Sequence, residues 1–199
     1  MGYKIMTTHI EFENVSKTFD QASAAVLNDV SFEIKKGDFV ALLGLSGSGK
    51  STILRLIAGL EKPSSGQLRI HHEGKKFDRG YGFQESHLMP WRDILTNVEL
   101  PLELTGVAKD DRRRQSLELL KQVGLEKASH LLPSALSGGM KMRASLARAL
   151  VGQPSLLLLD EPFAALDETT RFKLAEDLRH QWQTRQMTMV FVTHSITEA

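Results

Sequence analysis

The 199-residue sequence contains no cysteine, which excludes a disulfide scaffold, cysteine-ligated zinc or iron–sulfur clusters, and thiol catalysis. That absence fits a reducing compartment. Charge of one sign is not in excess either: 25 Lys+Arg stand against 24 Asp+Glu, a formal net charge of +1 at pH 7. A dedicated nucleic-acid binder carries a strong basic excess, so no nucleic-acid partner is expected. Long hydrophobic runs are missing. Phe39–Leu43 and Leu156–Leu159 fall far short of the roughly 18 residues that a membrane-spanning helix needs. Met1 to Thr8 show neither an apolar signal core with a cleavage site nor a convincing lipidation context after Gly2. A soluble, cytoplasmic chain without repeats is the expectation. Its composition, 41% hydrophobic and 25% charged, suffices for a buried core in one domain, with room for an inserted subdomain.

Hydrophobic periodicity then orders the chain. Ile10 and Phe12 alternate with Glu11 and Glu13, and Val30, Phe32 and Ile34 with Ser31 and Glu33, a period of two that predicts half-buried antiparallel strands. Phe39–Leu43 is continuously apolar and reads as a strand covered on both faces. After a glycine- and serine-rich loop, Ile53, Leu56, Ile57 and Leu60 share one helix face, and Pro63 to Gly66 end that helix. From Gln84 to about Pro133 the texture turns helical, punctuated by Pro90 and Pro101, with Asp110-Asp111 as a cap and Arg112 to Arg114 as a solvated first turn. A helix from Gly139 to Leu150, the strand Leu156–Leu159, a helix bearing Leu174, Leu178 and Trp182, and the strand Met189–Val192 complete the order. Buried strands separated by helices imply a parallel α/β core.

Two constellations carry chemistry. Gly44-Leu45-Ser46-Gly47-Ser48-Gly49-Lys50-Ser51 matches the phosphate-loop pattern G-x-x-x-x-G-K-[ST], between an apolar strand and an amphipathic helix. Glycines let backbone N–H groups turn toward phosphate oxygens, and the helix N-terminus adds partial positive charge. Lys50 reaches the β- and γ-phosphates, and the Ser51 hydroxyl can ligate Mg²⁺. Downstream, the strand Leu156–Leu159 ends in Asp160-Glu161, where α/β sheets bind ligands. Asp160 is expected in the Mg²⁺ shell, and Glu161, pointing differently, beside the attacking water.

Between these, Leu136-Ser137-Gly138-Gly139-Met140 resembles the signature of the ATP-binding cassette (ABC) ATPases, and the resemblance covers essentially the whole chain in the family's order. Gly44 to Ser51 matches Walker A, Gln84 the Q-loop, Leu156 to Glu161 Walker B, Ala164-Ala165-Leu166-Asp167 the D-loop, and His194 the switch histidine. The resemblance implies a P-loop cassette with a parallel core sheet, an N-terminal antiparallel β-subdomain and a helical subdomain inserted at about residues 84–136. It implies ATP and Mg²⁺ as ligands. Phe19 takes the adenine, the loop with Thr52 takes the phosphates, and Ser51, Gln84 and Asp160 surround the metal. Glu161, His194, Gln84 and Lys50 carry catalysis. Two cassettes pair head to tail, Ser137, Gly138 and Gly139 of one closing over the ATP of the other. His87-Leu88-Met89-Pro90-Trp91-Arg92 is similar to a segment of nitrate, sulfonate and taurine importer ATPases that leads to the surface meeting the membrane subunit. An importer implies separate permease subunits, an external solute-binding protein acting indirectly, and a peripheral place at the cytoplasmic membrane face.

Plainer readings stand beside these. Phe19 can simply pack on the β-subdomain, Trp91 and Trp182 are packing residues by type, and His9, His71, His72, His87, His130 and His180 read as surface histidines. Met140 stands where the family usually has Gln; this importer group often has Met there. The chain stops at Ala199, five residues after His194, where family members continue, so a C-terminal truncation is expected. Two other functions compete with the importer ATPase. A soluble ABC ATPase of DNA repair or translation usually carries a long coiled coil or two cassettes, and neither is present. A regulatory ATP-binding module without turnover would be supported by a changed Glu161 or Lys50, and both are intact.

Overall fold

The computed structural model describes residues 7–19, 24–71, 79–164 and 166–195. Met1 to Met6, His72, Ala165 and Ala199, all drawn into the sequence reading, lie outside them.

Strands β1 (Thr8–Lys17) and β2 (Leu27–Lys35) are antiparallel, and β4 (Ser65–Ile70) adds to the other side of β1, giving the order β2-β1-β4. The second sheet is wholly parallel, in the order β3-β7-β6-β5, from β3 (Phe39–Leu43), β5 (Arg79–Gly82), β6 (Leu156–Asp160) and β7 (Thr188–Thr193). Helices are α1 (Lys50–Ala58), α2 (Ile94–Leu104), α3 (Lys109–Gln122), α4 (Gly138–Leu150) and α5 (Glu168–Arg185). None of the described helices is long and apolar enough to cross a membrane.

The unbroken Leu156–Leu159 run is explained by the layering. Leu156 and Leu158 face one apolar cluster, which α1 and the antiparallel sheet complete through Leu54, Leu56, Ile57, Ile10 and Phe12. Leu157 and Leu159 face the opposite cluster, built with α2, α3, α4 and α5. A strand buried on both faces has no use for alternation, and β7 repeats the design with Val190 and Val192 against Met189 and Phe191. Truncating one of these leucines to Ala costs about 2–5 kcal/mol, since the site cannot collapse around the gap.

Several expectations are corrected. β3 packs on both apolar clusters, Phe39 and Ala41 on one and Val40 and Leu42 on the other, but it is only partly buried, because among the described strands only β7 pairs with it, and Leu43 is exposed. The α1 face contains Leu54, not Leu60, which is 57% exposed. Gly59 ends α1 at φ 77°, its N–H and that of Leu60 closing on the Leu56 and Arg55 carbonyls, well before Pro63. Pro101 sits inside α2 instead of interrupting it. Ala108, not an aspartate, is the N-cap of α3, with Asp110 and Asp111 in the first turn, where their charge suits the helix dipole. Of the arginine run, Arg113 and Arg114 are exposed, but Arg112 pairs with the buried Glu99 of α2 at 3.3 Å. His9 is no surface histidine: 3% exposed, its Nδ1 lies 2.6 Å from Thr188 Oγ1, bridging β1 to the start of β7.

Candidate functional site

The parallel sheet delivers four chain segments to one edge. The phosphate loop follows β3, Gln84 follows β5, Glu161 follows β6 and His194 follows β7, so all leave the carboxyl ends of adjacent strands. Open α/β sheets bind ligands there because the loops fan apart at that end and helix N-termini converge on it.

Local geometry forms the phosphate loop. Gly49 adopts φ 90°, and a Cβ there would stand 2.7 Å from Leu27 Cδ2 and 3.0 Å from the Val26 carbonyl, so both conformation and space demand glycine. This wedges the loop against the start of β2 in the antiparallel sheet. Gly49 caps α1 with no side-chain bond, and among the described residues the N–H groups of Lys50, Ser51 and Thr52 have no protein acceptor. Three donors at a positive helix end are thus available to an anion. Lys50 is buried, and its ammonium donates to the Gly44 carbonyl at 2.9 Å and the Leu45 carbonyl at 2.7 Å, which folds it back over the loop. Leu45, Ser46, Gly47 and Ser48 are exposed.

Ser51 Oγ donates to Asp160 Oδ1 at 2.8 Å. Burial pushes the Asp160 carboxyl above its usual range, opposed by the Ser51 hydroxyl. A hydroxyl and a carboxylate oxygen side by side are hard donors, the set that Mg²⁺ takes together with phosphate oxygens and water. Among the described residues no group of three His, Cys, Asp or Glu could hold a metal alone. The pair therefore fits a cation shared with a phosphate ligand.

Glu161 departs from strand geometry immediately after Asp160. Its φ of 49° is left-handed, unusual for a side chain of this kind, and its N–H donates to the Val192 carbonyl at 3.2 Å. Such strain persists only where the surroundings enforce it, and it turns Glu161 to a different side from its neighbour. Gln84 Nε2 donates to Glu161 Oε2 at 3.2 Å, and His194 Nε2 lies 2.7 Å from Oε1. On its other side His194 Nδ1 lies 3.2 Å from the Gly44 carbonyl, which only accepts, so Nδ1 carries a proton. Gln84, Glu161, His194 and the phosphate loop form one connected network.

The other expected site residues lie apart from it. Phe19 is half-buried just past β1, with the Lys17 ammonium 4.8 Å above its ring. It sits in the same connection as Val26, which packs on Gly49. Ser137 caps α4, its Oγ accepting from the Met140 N–H at 3.3 Å, while Ser137 and Gly138 are exposed. A Cβ on Gly139 would meet Thr170 Cγ2 at 3.2 Å. Among the described residues no hydrogen bond joins Ser137 to Gly139 with the phosphate loop. Asp167 caps α5, and the hydrogen bonds from Thr170 hold its carboxyl below the usual range. Arg148, not singled out in the sequence, donates to the Ser86 and His87 carbonyls beside Gln84; an arginine in a helical repeat of small and apolar residues gives no pattern that marks such a contact.

Comparison with known proteins agrees with this geometry. A family model described as ABC transporter matches residues 27–164. The chain is 44% identical over 190 residues to an aliphatic sulfonates import ATP-binding protein of Mesorhizobium japonicum, covering 94% of this chain and 70% of that one. It is 41% identical over 193 residues to a taurine import ATP-binding protein of Pseudomonas fluorescens (96% and 73%), and 40% identical over 196 residues to a nitrate import ATP-binding protein of Synechocystis (96% and 74%). Among solved structures, a dimeric ATP-binding cassette in a post-hydrolysis state, bound to ADP and Pi, superposes with a TM-score of 0.86 at 35% identity, covering 96% of this chain and 90% of that one.

Proposed function

The chain belongs to the ABC transporter family, and we propose that it is an ATP-hydrolysing subunit of an importer of the nitrate, sulfonate and taurine class. From that premise we propose that it works at the cytoplasmic face of a membrane, paired head to tail with a second copy and docked on separate permease subunits. The observation that carries this reading is the convergence of the Lys50 loop, Ser51–Asp160, and the Gln84–Glu161–His194 network on one sheet edge.

The residues divide the work. The free N–H groups of α1 and the Lys50 ammonium hold the phosphates, while the Phe19 ring stacks on adenine. Ser51, Asp160 and Gln84 would hold Mg²⁺. When bound, Mg²⁺ neutralises phosphate charge and so favours attack on the terminal phosphorus. Glu161 orients a water whose oxygen bonds to that phosphorus as the bond to the β-phosphate oxygen breaks, yielding ADP and Pi. The Glu161 carboxylate takes the water's proton, and His194 and Gln84 hold that carboxylate in place for the step. The exposed Ser137–Gly139 end of α4 closes over the second copy's nucleotide.

A groove of about 350 Å³ between β5, α2 and α4, lined by Tyr81, Phe83, Leu100, Pro101 and Leu104, fits an apolar element of the permease. Trp91 and Leu104 are 74% and 72% exposed, apolar surface that such an element could cover. A soluble repair or translation ATPase has no comparable support, since the relatives reported above are import proteins.

Purification of the tagged chain from its native membranes tests the assignment. Recovery of ATPase activity together with membrane-spanning subunits is expected. Recovery of an active ATPase free of any membrane protein overturns the permease partnership.

A further inference from the structure

Arg148, in the last turn of α4, forks over the loop that carries Gln84. Nη1 donates to the His87 carbonyl at 2.8 Å and Nη2 to the Ser86 carbonyl at 2.9 Å. Among the described residues no carboxylate pairs with this guanidinium, and burial pushes it below its ordinary value. Its charge is therefore balanced by the carbonyl dipoles of a single loop. A planar guanidinium can meet two successive carbonyls at once, which a lysine ammonium on a flexible stem cannot do in fixed geometry.

The loop needs such a hold. His87 sits at φ 42°, a left-handed conformation that an L side chain rarely adopts, and its Nδ1 folds back to the Glu85 carbonyl at 2.7 Å. At the other end the loop is anchored by aromatic contact, the Phe83 ring packing on His87 at 4.9 Å and on Tyr81 of β5 at 4.4 Å. Between these anchors Gln84 is exposed, and its side chain reaches Glu161 at 3.2 Å. Releasing the Ser86 and His87 carbonyls frees the segment that aims Gln84.

We propose that Arg148 is a positioning residue for ATP hydrolysis, holding the Ser86–His87 turn in the form that brings Gln84 to Glu161. The role rests on the assignment of Gln84 to the hydrolytic site. Arg148 touches neither nucleotide loop nor signature, so it acts on turnover and not on nucleotide capture.

Steady-state hydrolysis and fluorescent-nucleotide affinity in the full chain, for R148A, R148K, Q84A and the R148A/Q84A double variant, test this. R148A is expected to lower kcat about tenfold while nucleotide affinity stays within about twofold. R148K does not restore kcat, and R148A adds less than about twofold to the loss already caused by Q84A. If R148A does not fold, R148Q replaces it, with the same expectations. Independent, multiplying losses in the double variant overturn the proposal, as does wild-type kcat in R148A alongside an impaired Q84A. A parallel fall in melting temperature and nucleotide affinity would mark Arg148 as merely structural. Wild-type turnover in Q84A instead removes Gln84 from the site, and the positioning role falls with it.

Discussion

Helices α1 and α4 both begin in glycine-rich sequence, yet their first turns are finished differently. Gly49 starts α1 in a left-handed conformation with no side-chain cap, leaving three N–H donors free beside the Lys50 ammonium and the Ser51–Asp160 pair. Ser137 starts α4 in an extended conformation, and its own hydroxyl takes the Met140 N–H. The α1 end therefore has the charge of Lys50, the Ser51–Asp160 pair and the Glu161 network within reach. At the α4 end the exposed Ser137 and Gly138 present a hydroxyl and N–H groups, without a charged partner. A helix end of the second kind can contact a phosphate but has nothing with which to hydrolyse it. The asymmetry makes sense if each copy supplies the chemistry for one nucleotide and the closing contact for another.

The comparison breaks most visibly at Lys50. Lys50→Ala removes the buried ammonium and is expected to weaken ATP binding about 100-fold, on the scale of a charge-assisted phosphate contact. Isothermal titration measures this, and unchanged affinity would take the α1 end out of the site.

Asp160 separates function from stability. Its buried carboxyl is raised above the usual range, so the charged form is disfavoured in the fold, a cost that sets in as pH rises past the ordinary carboxylate value and levels off above the raised one. Asp160→Asn keeps an acceptor for Ser51 and removes the charge. It is expected to raise the melting temperature at neutral pH while reducing hydrolysis at least about 100-fold, since the proposed Mg²⁺ site would lose its carboxylate. A variant that melts lower in the absence of nucleotide would contradict this account of the burial.

The smallest effect belongs to α4. Ser137→Ala deletes a helix cap worth about 1 kcal/mol and should lower the melting temperature by about 2–4 °C. Nucleotide binding by the single chain should not change, while ATP-dependent pairing falls. A loss of monomer affinity resembling that of Lys50→Ala would erase the division between the two helix ends.

What the sequence made legible followed the strength of its patterns. β6 and β7, buried on both faces, announce themselves as apolar runs, and β1 and β2 as alternation. β4, Ser-Gly-Gln-Leu-Arg-Ile, is mostly exposed, and β5, Arg-Gly-Tyr-Gly, carries two glycines, so neither shows a period. In β5 the glycines are there for packing: a Cβ on Gly80 would lie 2.3 Å from the Ala149 carbonyl of α4. Leu60 matched the helical period of α1, but Gly59 had already ended the helix. His9 looked like a surface residue because its partner, Thr188, is 179 positions away. The site residues in motifs were legible because their spacing is local. The left-handed backbone of Glu161 and the Arg148 fork were not, since each is set by segments that meet only in the fold.

Across a pair of chains, the two helix ends are expected to meet around ATP. Glu161→Gln keeps the side chain's size but removes the carboxylate proposed to take the water's proton, so bound ATP should persist. Sizing chromatography of Glu161→Gln with and without ATP is the direct measurement. A shift from monomer to dimer on adding ATP, abolished by adding Ser137→Ala or Lys50→Ala, is the predicted result. A chain that binds ATP and stays monomeric would contradict the account.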